Sequence, residues 1–575
     1  MYKETMKIGL SFALVGLVLS GCTTNDETKT STETVKEVEQ TSDGTIRETE
    51  FGQVQGVNEN GVYKWMGIPY GGDTSGENRW KAPTDPESWS DIRDATEPGD
   101  SALQLGTEGA DGSEDALNLD IYRPENDKEA LPVLVFVHGG NNQTGLAQEI
   151  SGASFARNQD AIVVSVNYRL GALGFNPLPA LKTGTSEENS GNYTMLDLEK
   201  SLEWVRLNIE QFGGDSENVT VSGFSAGGRD VMAMLISPIF EGKFDKAISF
   251  SGGMTIADEE KSQDVFAEAM APLVVEDGVQ EAVEAAKEWL LTDDEAVKEY
   301  LVELEGDRLV NLMGNAGIRM NVFPHLYNDG TVIPKEGFDT ENYNDVPILM
   351  LTGGNEFSLF GRFDPYFGEY VADGSIDTDD SISAQYDFIN QYGGQLYSLF
   401  NVEESAEKMA EHYDESIYGM EINFGEDAPV VGEDMAKFGS FHGVFVPLLD
   451  TKNENYAALV GDAYKSEGAV ELSEWFQRYI YEFMENGDPN SDQLPEWKKW
   501  TKENKEVLFL DADQSTAKAE LGQMDYTYTD VLNAIEADTT ISEEEKEALI
   551  SEVLNSRWFS RELDEKYDNL SDFDK

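Results

Sequence analysis

The chain has 575 residues, and its 41 Lys and Arg stand against 111 Asp and Glu for a formal net charge of -70. That balance excludes the basic face that nucleic-acid binding needs, while 39% hydrophobic and 10% aromatic residues supply the apolar material for a large folded core. A charge so far from zero repels itself in the compact state, so the sequence is expected to suit a saline or alkaline medium whose ions screen the repulsion.

In chain order, Lys3 and Lys7 precede an apolar run from Ile8 to Leu19 that is too short to span a bilayer and has the flanks of a signal peptide. Leu19-Ser20-Gly21-Cys22 follows, resembling a bacterial lipobox, in which the cysteine is diacylated and becomes the new N-terminus. Cys22 is the one cysteine of the chain, so no internal disulfide can form. Two acyl chains on Cys22 would supply the paired signal that stable membrane attachment requires. Residues 22–45 are rich in Thr, Glu, Asp, Ser and Lys, lack aromatics, and read as a disordered tether. The expected layout is therefore a signal peptide over 1–21, the tether over 22–45, and a catalytic domain over 46–575. The protein is expected outside the cytoplasm, anchored to the membrane by lipid.

Five short runs then read as strands: Leu131 to Val137, Ala161 to Val166, Val219 to Ser222, Lys246 to Ser251 and Val346 to Leu351. They are continuous and β-branched rather than alternating, as in a parallel sheet covered on both faces. Helical patterns such as Leu196 to Glu210 lie between them, predicting an α/β fold with a large, mostly parallel sheet and helices on both sides. Reactive groups in such sheets sit beyond the carboxyl ends of the strands. Residues 256–320 are acidic and helical in pattern and read as an insertion over one end of the sheet. The tail from Asp530 to Lys575 reads as charged, solvated packing helix.

Gly223-Phe224-Ser225-Ala226-Gly227 follows a strand pattern and opens a helical one from Arg229 to Leu235. This is the strand-to-helix context in which Gly-x-Ser-x-Gly exposes a nucleophilic serine. A hydroxyl nucleophile needs a base, and the chain has four histidines. His138 belongs to the Gly-Gly loop after an early strand, and His325 and His412 read as structural or solvated. His442, in a glycine-flanked loop after the serine, fits the order Ser…Asp/Glu…His. The acid should fall between them: Glu356 fits, with Asp364 a rival on the same segment. Backbone N–H groups of Gly139 to Asn141 and of Ala226 are candidates for an oxyanion hole. Gly242-Lys243 is followed by Phe244, so no phosphate-binding loop is present. Asp373 to Asp380 lacks EF-hand spacing, and neither metal nor cofactor is expected.

An ordered series of motifs resembles the type B carboxylesterase family, which includes the cholinesterases. It runs from about Phe51 to Leu510, through Gly67-Ile-Pro-Tyr70, Arg79-Trp80 with Pro83, Ser113-Glu-Asp115, His138-Gly-Gly140, Asn167-Tyr-Arg-Leu-Gly171, Gly191-Asn192 and Phe212-Gly-Gly-Asp215 to the serine motif. The resemblance implies an α/β-hydrolase fold and two-step acyl transfer on a small-molecule ester. Ser225 would be nucleophile, Glu356 acid and His442 base, with Gly140, Asn141 and Ala226 as oxyanion donors. The chain departs from the family at Asn141 (third glycine of the loop), Ala116 (cysteine), Phe357 (glycine), Phe445 (acidic residue) and Asp230 (small serine). Asp230 is expected to support the Glu356–His442 pair from behind, or to act as the acid itself. A surface binding protein on an inactive esterase scaffold is the rival function.

If the acidic composition is a salt adaptation, the thermal midpoint should climb steadily as NaCl is raised from low concentration to ~1 M, where the screening length falls to about 3 Å. A flat or falling curve rejects the idea.

Overall fold

The computed structural model describes residues 44–313 and 318–570. The expected signal sequence, Cys22 and most of the expected tether lie outside these residues, and the first strand, Ile46–Thr49, belongs to a small separate sheet.

An 11-stranded sheet carries the molecule. From one edge its strands are Ala517–Gly522, Val507–Ala512, Ile417–Ile422, Ile348–Gly353, Lys246–Phe250, Gly214–Phe224, Leu131–Val137, Ile162–Val166, Asn118–Pro124, Val62–Pro69 and Val57–Glu59. Every pairing from Val507–Ala512 to Ile162–Val166 is parallel, and the strands outside that block pair antiparallel. The expected α/β architecture is met, and each of the five predicted runs overlaps a strand of the parallel block.

The continuous apolar runs follow from burial on both faces. In Leu131–Val137, Val133, Val135 and Val137 enter one core cluster, with Trp204 and Met232 of the helices Tyr193–Asn208 and Ala226–Met234. Leu134 and Phe136 enter the other, with Phe476, Ile480 and Phe483 of the helix Glu467–Asn486. The two-residue period of a strand sends neighbours to opposite faces, so a strand covered on both sides has no polar position to alternate with.

Residues 256–320 carry the helices Glu259–Glu276, Val283–Leu290, Glu295–Glu303 and Gly306–Val310. Asp258 caps the first by accepting from the Lys261 N–H, and Asp294 caps the third by accepting from Ala296, satisfying donors that a helix start leaves without partners. The tail contains Tyr528–Ala537, Glu543–Leu549 and Arg561–Tyr567, the first two opened by capping boxes at Thr527 and Ser542. Most of its charged side chains lie on the outer side, while Lys546, Arg557 and Asp564 are buried. The other side closes a third core cluster, with Val531, Ile535, Leu549, Val553, Leu554 and Phe559 against Phe357, Ile389, Leu396 and Tyr397. The expected packing helix is three helices whose inner side is part of the core.

Two departures from the family are explained by this packing. Phe445 lies parallel on Phe250 at 4.4 Å between ring centroids and edge-on to Phe224 at 5.1 Å. It fills with aromatic surface the space under the end of the serine-bearing strand. Phe357 is buried and meets Phe559 of the tail edge-on at 5.5 Å.

Candidate active site

Ser225 occupies the junction between strand Gly214–Phe224 and helix Ala226–Met234, with φ 57° and ψ -116°. A non-glycine residue in such a region costs on the order of 1–3 kcal/mol and persists where the surroundings over-determine it. Here they do. The Ser225 N–H donates to the Phe250 carbonyl at 2.8 Å, and the turn is closed by glycines that cannot be replaced. A Cβ at Gly223 would lie 2.1 Å from the Gly227 carbonyl oxygen, and one at Gly227 would lie 2.2 Å from that of Val137.

The candidate base and acid arrive on two loops that are fastened together. Asn355 donates its N–H to the Ser440 carbonyl and accepts the Ser440 N–H on its side chain, both at 3.0 Å, while the Ser440 hydroxyl accepts from Gly354 at 2.9 Å. This register sets His442 Nδ1 2.5 Å from Glu356 Oε2. The other carboxylate oxygen accepts from the Ser251 hydroxyl at 2.5 Å, the Thr352 hydroxyl at 3.1 Å and the Gly353 N–H at 2.6 Å. Fully buried Glu356 therefore has both oxygens occupied, as a buried carboxylate requires. Phe224, Phe360 and Tyr397 surround the imidazole at centroid distances of 4.8, 5.0 and 5.5 Å. Its Nε2 has no hydrogen-bond partner among the described residues, and His442 and Ser225 line one cavity of about 610 Å³.

The remaining candidates separate clearly. Asp364 is held by Arg557 at 2.7 Å rather than by a histidine. His412 is exposed. His325 accepts from Arg229 at 2.8 Å, and burial together with that guanidinium holds it well below its ordinary range. His138 stacks on Tyr168 at 4.3 Å, and burial lowers it to about 4, so it is neutral at physiological pH. The Gly139 N–H is committed to Glu149 Oε2 at 2.8 Å, which removes Gly139 from the oxyanion candidates. Among the described residues, the N–H groups of Gly140 and Asn141 have no protein acceptor. That of Ala226 opens a helix and has no intrahelical one. The Asn141 side chain is tied aside, donating to Gln143 at 3.1 Å and accepting from Arg229 at 3.3 Å.

The cavity has an apolar side with Leu309, Leu312, Ile318, Leu359 and Phe360, and a polar side with Gln104, Asp111, Gln143 and Glu149. Burial pushes Glu149 up to about 7 against the opposing Gly139 bond. No Lys or Arg lines the cavity among the described residues. Ser251, Thr352 and Glu149 went unnoticed in the sequence, where a lone hydroxyl or carboxylate carries no pattern. Ser251 alone had a signal, its place at the end of a predicted strand.

The sequence profile of the carboxylesterase family matches residues 43–417. The para-nitrobenzyl esterase of Bacillus subtilis (strain 168) is 28% identical over 503 residues, covering 81% of this chain and 94% of that protein. The cocaine esterase of Homo sapiens is 28% identical over 540 residues, covering 84% and 90%. Among solved structures, a PNB esterase superposes with a TM-score of 0.65 at 27% identity, covering 83% of this chain and 97% of that one. A Geobacillus stearothermophilus carboxylesterase does so with 0.64 at 25%, covering 83% and 98%.

Asp230 is not where it was expected. Its carboxyl accepts from Asn142 Nδ2 at 2.8 Å, on the oxyanion-loop side of the serine, whereas His442 is paired with Glu356 and Glu356 is supported by Ser251, Thr352 and Gly353. The reason is helical geometry: one turn into the helix, Asp230 points away from the strand ends that carry the acid. Burial pushes it up to about 7, partly opposed by Asn142 and Arg229. The native chain thus retains a proton that the unfolded chain, with an ordinary carboxyl near ~3.9, has lost. This stabilising contribution is complete below about pH 4 and disappears as the pH rises through about 7. Asp230→Asn keeps an acceptor for Asn142 and removes the titration. Its thermal midpoint should therefore gain on the wild type between about pH 5 and about pH 8, while the pH profile of any activity stays fixed. A constant difference across that range rejects the buried-acid account, and a displaced activity profile restores Asp230 to the base pair.

Proposed function

The chain belongs to the carboxylesterase family and is a carboxylic-ester hydrolase, and from that premise we propose that Ser225, His442 and Glu356 are its nucleophile, base and acid in a two-step acyl transfer. The observation that carries this reading is the Glu356–His442 bond of 2.5 Å, with Nε2 left open in the cavity that Ser225 also lines.

In the first step Ser225 Oγ attacks the ester carbonyl carbon while His442 Nε2 takes its proton. Negative charge gathers on the carbonyl oxygen, where the N–H groups of Gly140, Asn141 and Ala226 stabilise it. The helix that begins at Ala226 adds the positive end of its dipole. Glu356 fixes the imidazole tautomer and offsets the imidazolium charge. That proton then passes to the departing alcohol, leaving an acyl-serine. Water, deprotonated by the same nitrogen, cleaves the acyl-serine and regenerates the hydroxyl.

The lining residues favour uncharged esters of small or medium size, because Asp111 and Glu149 face the cavity without any basic side chain to receive a substrate carboxylate. We further assign the enzyme to the outer face of a bacterial membrane, held there through diacylated Cys22. A purely binding role on an inactive scaffold has no support from the site, since its candidate nucleophile, base and acid are all present.

With p-nitrophenyl esters of increasing acyl length, turnover should be readily measured and should fall by about a thousandfold or more in Ser225→Ala. An ester with a carboxylate at the end of its acyl chain should show a higher KM than its neutral counterpart, by a margin that narrows with salt. Activity that survives in Ser225→Ala removes the nucleophile assignment. For the anchor, Cys22→Ala should move the protein from the membrane fraction to the medium. A variant that stays with the membrane rejects the lipid reading.

A further inference from the structure

The tail beyond the last sheet strand contains none of the three residues assigned to the reaction, and it lies past residue 417, where the family match ends. A short turn within it is nevertheless built into the catalytic centre. Asp564 accepts the Ser556 N–H at 2.7 Å and the Ser560 hydroxyl at 2.8 Å, and Ser560 Oγ accepts the Arg557 N–H at 2.9 Å. Arg557 is buried and anchors this turn to the body of the protein through Asp364, at 2.7 Å. The backbone fixed in this way presents two consecutive aromatic residues.

Phe559 stacks on Tyr397 at 4.6 Å and 17°, and Tyr397 stacks in turn on His442 at 5.5 Å and 20°. Trp558 lies against the guanidinium of Arg229, with 3.7 Å between Cζ and the ring centroid. Arg229 is buried, and burial lowers its guanidinium against the opposing fields of Tyr397, Asp230 and Tyr168. Its Nη1 donates to His325 and its Nη2 to Asn141 of the oxyanion loop. A guanidinium removed from water gains most from an aromatic face, so the Trp558 indole is the surface on which the Asn141 donor is aimed. One neighbour braces the base and the other braces the oxyanion loop.

We propose that Trp558 and Phe559 are positioning residues for the catalytic centre, holding Asn141 through Arg229 and His442 through Tyr397. The proposal rests on the Ser225–His442–Glu356 reading and extends it to a segment outside the matched part of the family. Displacement of a reacting group by a fraction of an ångström to 1 Å acts on the transition state more than on substrate binding. Loss of the brace is therefore read in kcat.

The test uses the full-length chain, with active sites counted by labelling with a p-nitrophenyl organophosphonate and turnover of p-nitrophenyl butyrate expressed per labelled site. Trp558→Leu keeps apolar bulk but removes the aromatic face, and it should lower kcat by about tenfold to a hundredfold with KM held within about twofold. Trp558→Phe should recover most of that loss. Ile535→Ala hollows the same tail cluster away from the Trp558–Phe559 pair in the chain, and it should lower thermal stability while leaving kcat per site near wild type. Wild-type kcat in Trp558→Leu, or an equal fall in Ile535→Ala, overturns the proposal. Should Trp558→Leu fail to fold, Phe559→Leu decides: a kcat loss of the same order supports bracing and wild-type kcat overturns it. Wild-type protein that takes no label overturns the nucleophile assignment and the proposal together, whereas normal labelling with unaffected variants removes the proposal alone.

Discussion

Everything at the centre of this molecule is arranged around a serine whose backbone stands in a region that side chains avoid. Ser225 can hold φ 57° because the strand before it is pinned between two parallel neighbours and the helix after it starts against the carbonyl of Val137. The sheet is the restraint that makes this turn permanent. Its largely apolar central strands are the cost of that restraint, since burial on both faces holds them firmly. The strained turn in turn exposes one hydroxyl and one helix-opening N–H to the same cavity.

Around that turn the protein sorts its ionisable groups by burial. Glu356 is met by His442, Ser251, Thr352 and Gly353, while desolvation pushes Asp230 and Glu149 up to about 7 and His138 down to about 4. Burial thus reduces the charge that these three groups add near neutral pH. The arrangement keeps the field at the reacting oxygen under the control of backbone dipoles, which need no reorganisation as charge develops.

Much of this was legible in the sequence, for identifiable reasons. Five of the seven parallel strands announced themselves because two-sided burial leaves a largely apolar run, whereas Ile417–Ile422 and Val507–Ala512, which carry Glu421 and Asp511, were not read as strands. The antiparallel strand Asn118–Pro124 is just as buried but carries Asp120 and Arg123, whose satisfaction by Gln148 and by loop carbonyls is invisible in one dimension. Chain order and motif spacing pointed to Glu356 and His442, which are hydrogen-bonded, and to Ser225, which lines the same cavity as His442. The partner of Asp230 was missed because a helical position specifies a direction only once the helix is docked. The role of the tail was missed because its contacts with Arg229 and Tyr397 pair residues very distant in sequence, and charge on its outer side masked the apolar side.

The docking of that tail also orders events in time. A chain made from its N-terminus can assemble the sheet, the serine turn and the loops that carry Glu356 and His442 before residues 556–564 emerge. The aromatic pair at Trp558 and Phe559 follows the last sheet strand, Ala517–Gly522. Until then Arg229 has no indole beneath it and Tyr397 lacks one of its stacking faces. A chain cut before Trp558 would hold Ser225, Glu356 and His442 and lack the ring contacts to Arg229 and Tyr397.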